Sequence, residues 1–198
     1  MSHWRLTATL SLLLVAMALC FLGASGWDAD GVRLVIRATA RTSLVLFVLA
    51  FTASAMVELM PSEATRWQRR NRRQLGISFA VSHFIHLLAI VSLARLDEAL
   101  FWRLTNLGTI VLAGAAYLFV AAMAATSFDR TAAWLGSRKW RLLHLVGGWY
   151  IWISFAVAVG KRVPLDSLYW PMAALVLAAG IVRLAAMWRR NRKRAALA

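Results

Sequence analysis

RRQLGISFAVSHFIHLLAIVSLAR, residues 72–95, decides the fold. It opens on Arg72 and Arg73 and carries no further Lys, Arg, Asp or Glu until Arg95. A helix needs about 20 apolar residues to cross the hydrocarbon of a bilayer, at about 1.5 Å per residue. The stretch is therefore read as a membrane span. Two histidines, His83 and His86, lie inside it, three residues apart and so on one helix face. An ionisable side chain at bilayer depth is costly, which makes both of them candidates for function.

Outward from this span, read as Leu75–Ala94, the chain shows five more of similar length: Leu6–Leu22, Ser43–Leu59, Leu104–Ala125, Leu142–Gly160 and Tyr169–Trp188. Hydrophobic residues make up 61% of the 198 and charged residues only 16%, the balance of a membrane protein. Backbone groups in lipid must be satisfied internally, so the runs are helices, and without a period-two alternation they are not barrel strands. The expected fold is an all-α integral membrane protein. A single six-transmembrane-helix bundle fills residues 1–198 and ends in a basic tail at 189–198.

The net charge of +15 raises the question of nucleic acid, and its distribution answers it. With six spans, one face carries fifteen arginines and lysines in the N-terminus, the two basic loops and the tail, and the other carries seven. That asymmetry is the positive-inside pattern and predicts cytoplasmic termini. The basic loops are then topology signals that also meet anionic lipid heads, with no nucleic-acid partner. A lone Cys20 excludes an intramolecular disulfide and a Cys-rich metal motif. The first span is read as a retained helix rather than a cleaved signal. Leu34–Ile36, within the loop Gly23–Arg41, suggests a short interfacial helix or an ordinary exterior loop. Small residues in the fourth span, including Gly108 and Gly114, suggest a packing scaffold. No Walker loop, HExxH, or GxGxxG with its acidic partner is present.

A third internal histidine, His144, opens the fifth span with Gly147 and Gly148 beyond it. The glycines leave either room for a planar macrocycle or a surface for close helix contact. Imidazoles from two helices can clamp a b-type heme without any soluble fold, here between the third and fifth helices. Three other uses compete: a proton relay, a transition-metal site lacking the usual carboxylate or thiolate companions, and a structural hydrogen bond.

The order of several short motifs resembles the ferric reductase-like transmembrane domain family, and within it the small heme-binding membrane subunits that serve periplasmic methionine-sulfoxide reductase. The motifs are Arg41-Thr42, Arg72-Arg73 with Leu75-Gly76, His86, Leu107-Gly108, Thr126-Ser127, Leu135-Gly136, Trp140 and Leu143-His144. The resemblance covers about residues 41–160. It implies that His86 and His144 are the ligands of a heme iron, that heme b is the cofactor, and that the chain is one subunit of an oxidoreductase in a bacterial inner membrane. One departure stands out: the family's second histidine on the fifth helix falls at Val157, and His83 is the available substitute.

Spacing bears on the pair. His86 lies nine residues deeper in its run than His144 does, about 13 Å, and His83 six residues deeper, about 9 Å. His83–His144 fits depth better and His86–His144 fits the family better. Arg41 is the expected partner of a heme propionate. The leading expectation is thus a membrane electron-transfer protein working with a separate donor, which is a quinol or a soluble reductase subunit carrying flavin, and a periplasmic or extracellular acceptor. The alternatives are a heme-free relative acting as membrane scaffold or assembly factor, and a small proton-coupled carrier.

Overall fold

The computed structural model describes residues 3–196. Among them the chain forms nine α-helices and no strand. They are α1 (His3–Ser25), α2 (Ala29–Leu59), α3 (Glu63–Arg70), α4 (Arg72–Leu96), α5 (Glu98–Leu104), α6 (Leu107–Ala125), α7 (Asp129–Leu135), α8 (Ser137–Gly160) and α9 (Trp170–Ala195). Six of them, α1, α2, α4, α6, α8 and α9, are long and apolar enough to span a membrane. The all-α six-helix expectation is met. The even number of spans puts both ends of the chain at one end of the bundle, called here the terminal face.

Local chemistry sets the breaks between helices. Asp28, Asp97 and Asn106 each accept a hydrogen bond from the first-turn backbone of the helix that follows. Ser62 and Thr65 exchange bonds in a capping box that starts α3. Gly136, at φ +80°, turns the chain between α7 and α8 in a conformation that side chains resist. The three short helices lie in loops that the sequence left unassigned.

α2 is the central helix and packs against α1, α3, α4 and α9, most extensively against α4. Its buried face, including Leu44, Phe47 and Phe51, meets Leu75 and Phe79 of α4, Ile151 of α8 and Val176 of α9 in one core. A second cluster of Ala18, Val32, Val35, Ala89 and Leu93 closes the far end between α1, α2 and α4.

Two expectations change. No separate interfacial helix or exterior loop occupies 29–41, because α2 begins at Ala29 and runs unbroken. Asp28 caps it, and Val32 and Val35 are buried against its neighbours, so packing overrides the loop-like composition. At about 46 Å, α2 overruns a hydrocarbon core of about 30 Å. The glycines of α6 do not mediate close packing. A side chain at Gly114 would meet nothing within 4 Å, and one at Gly108 would approach only the Asn106 cap. Small residues allow close approach only where a helix faces them.

Candidate functional site

His83 and His86 project from the middle of α4. His86 is tied to α2: its Nδ1 lies 3.0 Å from the Ile36 carbonyl and 3.0 Å from Thr39 Oγ1. A carbonyl only accepts, and the Thr39 hydroxyl already donates to the Val35 carbonyl at 2.6 Å. Nδ1 must therefore carry the proton, and Nε2 presents its lone pair on the other edge of the ring. Thr39 belongs to a buried polar seam in which Ser82 of α4 bonds Thr42 at 3.0 Å and Ser43 at 2.9 Å. Such hydroxyls hold helices together in lipid.

The His83 ring stacks on Tyr117 of α6 at 4.7 Å and on His86 at 5.6 Å, with Phe155 of α8 at 5.9 Å. Its Nδ1 and the Tyr117 hydroxyl are both buried without a hydrogen-bond partner among the described residues. Orphaned polar atoms at one place are what a bound polar group would satisfy.

His144 sits elsewhere. It stacks on Trp140 at 4.1 Å, and its Nε2 is 3.5 Å from Thr126 Oγ1, near the terminal face. Phe155, the α8 residue level with His83, lies eleven positions beyond His144, about 16 Å along the helix. The structure thus brings His83 and His86 together and keeps both apart from His144. His83 and His86 share one helix and stack nearly parallel at 18°, so they do not face each other across an iron. Val157 is 48% exposed and points away from the bundle interior. Among the described residues no group of three or more His, Cys, Asp or Glu is placed to hold a metal ion.

The space beside His144 is filled. A side chain at Gly147 would meet Met123 Sδ at 2.6 Å and Phe119 at 3.0 Å, and one at Gly148 would touch Phe51 at 3.5 Å. Of the two readings of these glycines, close helix contact is the one seen. Arg41 is exposed, on the side of α2 opposite the fully buried Thr39, and so turns away from the His86 face. The arginine whose charge reaches His86 is Arg162, at the end of α8. Thr39, Tyr117 and Arg162 were not singled out by the sequence. The polar run Thr39, Thr42, Ser43 in an apolar helix was the available signal for the first.

An apolar groove of about 480 Å³ lies between α1, α2 and α4 at the far end. Val35, Ile85 and Ala89 line it and Arg95 stands among its few polar groups, but none of the histidines does.

No protein-family model, curated protein or solved structure matches the chain. The resemblance to the ferric reductase-like family rests on the residues quoted above.

Proposed function

We propose that the chain is a membrane electron-transfer protein of the ferric reductase-like kind, with His86 as the ligand of a b-type heme in the half of the bundle away from the termini. The tether on His86 carries this reading. A carbonyl and a hydroxyl on α2 fix Nδ1–H and leave Nε2 as the lone pair, the outer-shell arrangement that orients imidazole toward a metal. The donor set fits one axial histidine and does not fit two, because His144 is about 16 Å in depth from the level of His83 and His86 stands almost a turn farther still. Bound heme would supply one-electron chemistry. The chain's own residues do the rest: Thr39 and Ile36 orient His86, Arg162 offers a cation near it, and a packed run of rings joins it to the other half of the bundle. That run passes from Trp149 through Phe51, Phe47, Phe79 and His83 with centroids 5.0–5.6 Å apart. A separate donor, a quinol or a flavin-bearing reductase, acts on the cytoplasmic side, and a periplasmic or extracellular acceptor acts opposite.

The test is a visible spectrum of the detergent-purified protein after expression with ample heme, oxidised and then reduced. One axial histidine predicts a high-spin spectrum without the sharp reduced α-band of a two-histidine heme. His86→Ala should abolish the bound heme and His144→Ala should leave it. A sharp α-band lost in both variants would overturn the one-ligand geometry. A folded protein that stays colourless after heme reconstitution would favour the second reading, a heme-free bundle serving as membrane scaffold or assembly factor. One observation supports that alternative: Phe119, Met123 and Phe51 already occupy the space beside Gly147 and Gly148.

A further inference from the structure

At the terminal end of the bundle, two guanidiniums converge on a single turn of α2. Arg183 of α9 donates from Nη1 to the Phe51 carbonyl at 3.0 Å, and Arg72 of α4 donates from Nη1 to Ser54 Oγ at 3.0 Å. Arg183 is half-buried, lies 4.4 Å over the Phe51 ring and 5.9 Å from that of Trp149, and its Nε has no partner among the described residues. Arg72 lies 6.0 Å from the Trp140 ring, on which His144 stacks. Among the described residues neither arginine has a carboxylate partner. The ion pairs among the described residues at this end use other cations, Arg73 with Asp129 and Arg190 with Glu58. Arg72 and Arg190 act on Arg183 as neighbouring like charges. Two guanidiniums bonded to one turn of α2 with no carboxylate beside them favour an anion there.

We infer that Arg72 and Arg183 form a binding site for a phosphate group, entered past the exposed Arg72 at the terminal face. The two guanidiniums arrive from different helices, and a tetrahedral phosphate has oxygens enough to meet both, with planar forks suited to them. The phosphate comes from either an anionic phospholipid headgroup or a soluble phosphate compound, and the same chemistry serves both.

The experiment uses the full chain purified in a phosphorus-free detergent. Native mass spectrometry reads retained phosphatidylglycerol, and thermal unfolding of the delipidated protein reads its stabilisation by added inorganic phosphate. Wild-type protein should bind one of the two saturably. Arg72→Gln and Arg183→Gln should each weaken binding by about tenfold or more, while Arg194→Gln in the tail should not. Retained lipid that both variants lose assigns the site to a headgroup. Saturation by inorganic phosphate without retained lipid assigns it to a soluble ligand. Equal binding in wild type and both variants, or none in wild type, overturns the inference. Should Arg183→Gln fail to fold, Arg183→Lys keeps the charge and removes the fork, and should still weaken binding.

Discussion

The glycines state what single positions demand. A side chain at Gly31 would lie 1.9 Å from the Gly26 carbonyl, and a backbone atom cannot swing aside. Gly180 faces the Trp152 ring at 2.6 Å, and that ring is anchored by its Nε1 donating to the Val176 carbonyl at 2.9 Å. Gly147 faces the flexible end of Met123, and Gly148 only an ordinary contact with Phe51. Overpacking a tight site costs about 1–3 kcal/mol. Gly31→Ala and Gly180→Ala should therefore fall at or above the top of that range, Gly147→Ala near its lower end, and Gly148→Ala near zero. Thermal unfolding in detergent reads the order, and a Gly148→Ala loss equal to that of Gly180→Ala would contradict it. The sequence could place these glycines but not tell a macrocycle from a close contact, since a missing side chain permits both. The histidines were similarly half-legible. Their presence at bilayer depth could be read from the apolar runs, and the stacking of His144 on Trp140, four residues back on the same helix, was open to the same reading, whereas the pairing of His83 with Tyr117 depends on two helices brought together by folding.

Among the elements, the spans were legible because twenty apolar residues have few other fates in water. The N-terminal third of α2 was not. Asp30, Gly31, Arg33 and Arg37 resemble loop residues, and only burial of Val32 and Val35 between α1 and α4 explains the helix there. Its start depends on Asp28, which accepts from the backbone N–H of Asp30 at 3.1 Å and of Gly31 at 3.0 Å. Asp28→Ala should cost about 1 kcal/mol and raise hydrogen exchange in the first turn of α2 while sparing Leu44–Phe51. A second tether joins elements at the terminal face, where Arg73 of α4 donates to Asp129 at the start of α7. That hydrogen bond, and then the Arg73 charge, holds the Asp129 carboxyl below its ordinary value of 3.8. A depressed carboxylate pKa means that the tether is complete above the ordinary value and is lost as pH falls through the lowered one. The pair is exposed, so global stability should change little. Limited proteolysis at the α6–α8 connection should instead quicken only once the pH has dropped below the ordinary carboxylate value and through the lowered one, and Asp129→Asn should show that faster cleavage already at pH 7.

For the whole molecule, charge decides direction. Basic residues crowd the end that holds α3, α7 and both termini, and that end also holds the Arg72–Arg183 pair. The positive-inside asymmetry predicts that it faces the cytoplasm. If the proposed electron transfer holds, that orientation assigns its two ends to the two sides of the membrane. His86 would lie toward the periplasmic side, and Trp149, at the other end of the run of rings, toward the cytoplasmic donor. A C-terminal fusion to a fluorescent protein should therefore fluoresce, and the same fusion to alkaline phosphatase should be inactive. Neutralising Arg66, Arg69 and Arg70 to Gln should weaken that bias, because they stand within a short loop close to two span ends, where the rule counts charge most strongly. An active phosphatase fusion on the unaltered chain would invert the bundle. It would place His86 on the donor side and the phosphate pair outside, and it would thereby exclude a cytoplasmic soluble phosphate compound as the ligand while leaving a headgroup of the opposite leaflet.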